Sequence, residues 1–298
     1  MSKFIKKVIC TLLVCQTFIV TSVFAESNQD VVSVNEYSNS VSDKNVNSEA
    51  REIFLNSLPQ EERDVLDISG KEIVEESYSF YKFELKDEAK GKDQRFLSEE
   101  DYNIVPSSLE EFKLANTINF RNQVAPGVWE KNDFDSIVMT GITAIRDNND
   151  NRRFSVTTNF TWSQSPSLKF TDAVGITCGT NISPEVETRK GYARAKIEVA
   201  ENAPIYTDLI EEGPIVDPQG RGVAMSIKPL PAATYNTGYV KCDFRFQGED
   251  DDFGVFTSEY LKSSIQFGSL SFDTSGRPSL GLVIGTERFS NAINVSKK

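Results

Sequence analysis

Histidine is absent from all 298 residues, and that gap removes whole classes of chemistry. Without an imidazole there is no Ser-His-Asp or Cys-His nucleophile, no His-ligated zinc, no haem histidine and no zinc-protease helix motif. Tryptophan (2), methionine (3) and cysteine (4) are scarce as well. Glycine-rich phosphate loops are missing: neither a Walker pattern nor the glycine spacing of a dinucleotide fold occurs. No Gly-x-Ser-x-Gly elbow is present. Positive charge does not cluster beyond pairs such as Arg152-Arg153 and Lys297-Lys298. With a formal charge of −12, the chain is a poor partner for nucleic acid or anionic lipid.

What is present begins with an export signal. Lys3, Lys6 and Lys7 make a basic start, Val8 to Val20 an apolar run, and Val23-Phe24-Ala25 a cleavage pattern. Residues 1–25 therefore read as a secretory signal peptide cut after Ala25. The apolar run is shorter than the roughly 20 residues that span a bilayer, which argues against an anchor. Val14 precedes Cys15 and the run continues past it, which argues against a lipoprotein. No later segment is apolar enough to span a membrane as a helix, so the mature chain is expected to be secreted, with no transmembrane anchor. Loss of the three lysines takes the net charge from −12 to −15. Cleavage also leaves Cys178 and Cys242 as the remaining cysteines, a disulfide candidate in an exported protein. In the chain-entropy view a bridge closing a loop of this length stabilises by roughly 4 kcal/mol. The competing reading is two buried thiols that never meet.

Three parts follow the signal. Residues 26–48 are rich in Ser, Asn, Val and Asp without periodicity, and read as a disordered spacer. Residues 49–115 are charged and partly helical, a small α or α+β region. Ser57-Leu58-Pro59-Gln60-Glu61-Glu62 reads as a helix start capped by Ser57, and Ser107-Ser108-Leu109-Glu110-Glu111 as another. Tyr78, Phe80, Phe83 and Leu85 fit either an irregular strand or a helix edge. Residues 116–298 alternate with period two between turn residues, which is the strand signature. Phe154, Val156, Thr158, Phe160 and Trp162 share one strand face, with Ser155, Thr157, Asn159 and Thr161 on the other. Val240, Cys242, Phe244 and Phe246 share another face, as do Ala193, Ala195 and Ile197, and Val223, Met225 and Ile227. Several short strands and no helix–strand alternation predict a mainly β chain, an antiparallel β-sandwich over about 116–298.

Little chemistry stands out from this frame. Ser79-Phe80-Tyr81-Lys82 matches Ser-x-x-Lys, but its companion motifs are missing, and an ordinary amphipathic segment explains it. Glu249-Asp250-Asp251-Asp252 and the alternating Asp147, Asn149 and Asn151 offer hard oxygens without the EF-hand spacing, so they read as solvated acidic turns and leave a metal unassigned. Paired carboxylates are the common catalytic device that needs no histidine. The candidates Asp172, Glu198, Asp243 and Glu259 are scattered along the chain, with nothing to pair them. Trp162 ends a strand and enters a loop, where it is either a platform for a ligand or, by its alternation with Phe160, part of the core. Trp129 falls at the junction of the two regions, and Tyr206, Tyr235 and Tyr239 are candidate surface contacts.

These observations predict a secreted, non-enzymatic binding or structural module that acts on a protein or glycan at the cell surface and needs no cofactor. Two other readings compete. One is a pore-forming protein that inserts the 137–162 hairpin, whose faces divide into apolar and Ser/Thr/Asn. The other is a carboxylate-based glycoside hydrolase.

Overall fold

The computed structural model describes residues 34–297, except for 39–40, 42, 67–70, 91, 93–100, 122, 126–127, 130–135, 164–170, 199–203, 231–232, 234, 249–251, 264–268 and 281–285. The signal peptide expected over 1–25 lies outside the described residues.

Two sheets face each other across one core. The first has six strands in the order β1 (Val34–Tyr37), β17 (Thr286–Ser296), β14 (Phe253–Ser263), β8 (Asp172–Cys178), β12 (Gly222–Ile227) and β11 (Ile210–Val216). The second has seven, ordered β10 (Pro204–Asp208), β9 (Ile182–Glu198), β13 (Tyr235–Phe246), β7 (Arg153–Trp162), β6 (Ser136–Arg146), β2 (Ile73–Leu85) and β3 (Tyr102–Pro106). Neighbouring strands are antiparallel throughout, except that β1 lies parallel to β17. Two small hairpins stand apart: β4 (Gln123–Ala125) with β5 (Val128–Trp129), and β15 (Leu270–Phe272) with β16 (Pro278–Leu280). The helices are α1 (Lys44–Ser57), α2 (Gln60–Val65) and α3 (Leu109–Arg121).

The expected antiparallel sandwich is present, and the faces read from alternation are the faces that pack. Phe154, Val156, Phe160 and Trp162 meet Val240, Cys242, Phe244 and Phe246 in one core cluster. From the opposite sheet come Val174, Ile176, Val223, Met225, Phe256, Tyr260 and Phe289. Residues that alternate along a strand point to opposite faces, so each sheet offers one apolar set to the other.

The second sheet is also covered on its outer face. Tyr78, Phe80, Met139, Tyr192 and Tyr239 project away from the sandwich core and bury against Ala50, Phe54 and Leu58 of the α1 region and Phe112 of α3. Helix α1 offers Asn47, Ala50 and Phe54, a single stripe at helical spacing. Asn47 fixes it in place: Nδ2 donates to the carbonyls of Val41 (3.0 Å) and Glu76 (3.2 Å), and Oδ1 accepts from the Tyr78 amide (3.1 Å). Arg51 adds an ion pair to Glu76 at 2.6 Å. Helix α2 docks on β13, where Tyr239 donates to Glu62 (2.7 Å) and Lys241 to the Val65 carbonyl (3.0 Å).

This cover corrects several sequence expectations. Within the expected spacer 26–48, residues 34–37 form β1 and residues 44–48 already belong to α1. The cap that starts α1 is polar, Asp43 accepting from the Asn45 amide at 2.8 Å, and so looked like spacer composition. Residues 49–115 are no separate region: β2 is an inner strand of the second sheet, paired with β6 and β3, so the sandwich begins well before residue 116. Ser57 caps no helix. It is the last residue of α1 and donates to the Phe54 carbonyl (2.7 Å), while α2 starts behind Pro59. Tyr239, expected at the surface, is buried under the helices. The second expected cap holds. Ser108 Oγ accepts from the Glu111 amide and Glu111 Oε2 from the Ser108 amide, both at 3.2 Å, a reciprocal capping box for α3.

Gly141 on β6 lets the helical layer sit this close. A Cβ there would lie 2.3 Å from the ring of Tyr78 on the neighbouring strand. Gly141→Ala should therefore cost about 1–3 kcal/mol in chemical denaturation; unchanged stability would contradict the packing of Tyr78 across β6.

Candidate functional site

Trp162 is core, not platform. Its side chain is fully buried, its indole Nε1 donates to the Tyr260 hydroxyl at 2.8 Å, and its ring packs on Phe83. An indole with no exposed surface cannot stack on a ligand from outside, which corrects the contact reading of this residue. Trp129 lies in β5, and its side chain is outside the described set.

Cys178 and Cys242 are free thiols, both buried, on strands of opposite sheets. No bridge joins them here, and each sulfur also lies against local oxygens. Cys178 Sγ lies 3.4 Å from the carbonyls of Ile182 and Arg221, and Cys242 Sγ lies 3.5 Å from the Glu185 carbonyl and 3.6 Å from Thr188 Oγ1. Burial pushes the Cys178 thiol up to about 12 and the Cys242 thiol up to about 11. Neither is a nucleophile near neutral pH.

The carboxylates are committed one by one, and the structure does not bring them together. Asp172 points into the core, fully buried, where it accepts from the Tyr260 hydroxyl and lies 3.8 Å from Lys262 Nζ. Glu259, three residues before Lys262 and so on the opposite parity, lies on the outer face of the first sheet. There Arg288 and Arg277 clamp it, Arg277 Nε at 2.5 Å. Asp243 sits on the second sheet with Arg153 at 2.7 Å. The Glu198 side chain lies outside the described residues. Burial raises the pKa of Asp172 more than Lys262 lowers it, and raises that of Glu259 more than the two arginines lower it.

Polar side chains also cross between the sheets. Ser79 donates to Asn291, whose Nδ2 donates to Thr140 Oγ1 (3.0 Å), and the hydroxyls of Thr158 and Ser258 pair. Ser79 thus spends its hydroxyl in the core, while Lys82 of the Ser-x-x-Lys match pairs with Glu84 at 2.8 Å. Three positions apart on a strand, the two point to opposite faces. The Asp147–Asn151 turn is likewise internally satisfied. Asp147 accepts from the Asn149 amide (2.8 Å) and pairs with Arg153 (3.2 Å), and Asp150 pairs with Arg245. Residues 249–251 of the second acidic turn lie outside the described set. No group of three metal-ligating acids or cysteines occurs among the described residues. The 137–162 hairpin, β6 with β7, is central in the second sheet and buried on both faces, so it presents neither a lipid face nor a wet one.

Among the described residues a cleft of about 450 Å³ opens at the rim of the sandwich. Ile73 to Ser77 of β2 form one wall, Ala292 to Asn294 of β17 the other, and Val41, Lys44 and Asn47 close it where α1 begins. Ser77 is 5% exposed, and its hydroxyl has no hydrogen-bond partner among the described residues. No motif in the sequence marks this place, because strand pairing alone assembles it.

No family of known proteins matches the sequence, and no curated protein matches it. Among solved structures, the collagen-binding domain of a Staphylococcus aureus adhesin aligns at 9% identity over 51% of this chain and 93% of that one, with a TM-score of 0.29. The collagen-binding subdomain of the Enterococcus faecalis surface protein ACE aligns at 8% identity over 51% and 92%, with a TM-score of 0.29. A protein described as pore-forming aligns at 10% identity over 56% and 94%, with a TM-score of 0.26. The sandwich architecture rests on the strand pairing itself, and no ligand or activity is carried over from these three.

Two predictions follow from the buried groups. Native Asp172 keeps its proton to higher pH than the unfolded chain does, so its contribution to stability is full below the ordinary carboxylate range. That contribution falls as pH rises through the raised native value. Asp172→Asn should flatten this part of the stability–pH curve above about pH 4; an unaltered slope would contradict the assignment. In a chain prepared as residues 26–298, a thiol reagent should find no reactive cysteine under native conditions and two in denaturant; a pair resistant until a reductant is added would restore the bridge.

Proposed function

We propose that the chain is exported, cut after Ala25, and acts without catalysis as a binding or structural module at or beyond the cell surface. Its partner in this reading is a protein or a glycan there. The observation that carries it is the commitment of the acids. Asp172, Asp243 and Glu259 each hold a cation, sit on separate faces and share no cavity. A glycosidase needs two carboxyl groups facing one sugar ring about 5–9 Å apart. An open rim cleft is present instead, beside a sheet whose middle is covered on both faces. Among the described residues no helix is long and apolar enough to cross a membrane.

Fractionation of producing cells tests the export step. The protein should appear in the medium or loosely on the wall, beginning at Glu26; complete retention in the membrane with residues 1–25 attached would overturn it. Co-sedimentation then tests the binding step, using isolated cell walls, an insoluble polysaccharide and lipid vesicles. Saturable binding to the first or second is expected. Hydrolysis of the polysaccharide, or binding to vesicles alone, would replace the reading.

A further inference from the structure

Glu259 and Asp172 are both sealed carboxylates, but they are held differently. Two guanidinium groups grip Glu259 within hydrogen-bond distance, a geometry that offsets the loss of hydration. Asp172 and Lys262 are 0% and 1% exposed, yet Oδ1 and Nζ stand 3.8 Å apart, beyond a hydrogen bond. Oδ1 has no hydrogen-bond partner among the described residues. The other oxygen, Oδ2, accepts from the Tyr260 hydroxyl, which itself accepts from Trp162 Nε1 at 2.8 Å. The centre of the Trp162 ring lies 5.6 Å from Lys262 Nζ. Two ions dehydrated this completely are a net cost unless hydrogen bonds complete the pair.

Strand pairing sets the two side chains against each other. Ala173 of β8 faces Leu261 of β14 in antiparallel register, so Asp172 and Lys262 are the next opposed positions and share one face. Both strands are interior to the first sheet, β14 between β17 and β8, and β8 between β14 and β12, so neither can swing away. In water an amine and a carboxylic acid persist as separate hydrated ions. A dry core withdraws that hydration, and fixed opposition replaces a chance encounter with a standing one. Burial also raises the pKa of Asp172, which favours the protonated acid.

We infer that the side chains of Lys262 and Asp172 condense into an amide that joins β14 to β8 covalently inside the core. A proton passes from the ammonium to Oδ1, which leaves a neutral amine facing a neutral carboxylic acid. The Nζ lone pair then attacks Cγ and the N–C bond forms, while the Tyr260 hydroxyl polarises Oδ2, the oxygen that stays as the amide carbonyl. The Cγ–Oδ1 bond breaks, Oδ1 takes a second proton from Nζ, and one water leaves. One hydrogen remains on nitrogen, both charges are gone, and no oxidant or cofactor is consumed. The inference goes beyond the module reading, because the bond locks the sheet whatever the chain binds. Once it has formed Asp172 no longer titrates, so the pH dependence assigned to that carboxyl belongs to the chain before closure.

The test is the intact mass of the purified chain 26–298 in denaturant, followed by peptide mapping. The linked chain should weigh about 18 Da less than its sequence, the mass of one water. Its digest should contain a branched peptide in which the Lys262 amine carries the segment around Asp172, and trypsin should leave the bond after Lys262 uncut. Lys262→Gln and Asp172→Ala should each keep the full mass. A wild-type chain that keeps its full mass after prolonged incubation in the folded state would overturn the inference and leave a plain ion pair. A water loss that maps elsewhere, such as to cyclised Glu26 at the new amino terminus, or that persists in Lys262→Gln, would overturn it as well. The wild-type mass and map decide the matter even where a variant fails to fold.

Discussion

The middle of the second sheet is covered on both faces, and most of the structure follows from that constraint. One side must bury Phe154, Val156, Phe160 and Trp162 against the first sheet. The other must bury Tyr78, Phe80, Met139 and Tyr239 beneath helices. Burying a large apolar side chain contributes about 1.5–3 kcal/mol, so a helical layer covering several of them cannot be a loose appendage. This is why α1 starts earlier than the spacer-like composition suggested, and why Asn47 spends its amide on backbone groups of both the incoming chain and β2.

Polar groups inside the sandwich set its register. Buried hydroxyls, amides and charges are costly unless paired, and a satisfied set favours one arrangement over near alternatives. A one-residue slip of β14 would take Tyr260 from Asp172 and Trp162, take Ser258 from Thr158, and turn Lys262 out of the core. Asp172, Asp243 and Glu259 each lie beside a cation, on separate faces.

The sequence shows strands more readily than layers. Alternation at 154–162, 223–227 and 240–246 identified inward faces correctly, because those strands are apolar toward the facing sheet and small or polar on the other side. It could not show that Ser155, Thr157, Asn159 and Thr161 face helices and not water, since short polar residues suit both settings. In β2 apolar residues occupy both parities, Tyr78 and Phe80 outward, Tyr81 and Phe83 inward, and this erased the period that would have marked a strand. Lys262 was legible in principle, standing two residues beyond Tyr260 on the inward parity of β14. The cleft was not, because residues 73–77 and 292–294 meet only through the topology. For the thiols the sequence left a bridge and two separate sulfurs both open, since it counts sulfurs but does not aim them.

The sheet that is covered on both faces in its middle is the feature on which the rest depends. Native-state hydrogen exchange of the isolated chain tests this most directly. Amides of β6 and β7 should exchange only on global unfolding, while those of 290–295 that point away from β14 exchange rapidly, since no strand among the described residues pairs with them. Uniform slow exchange along β17 would mean that its edge is already occupied. Rapid exchange in β6 and β7 would mean that the doubly covered sheet does not exist in solution.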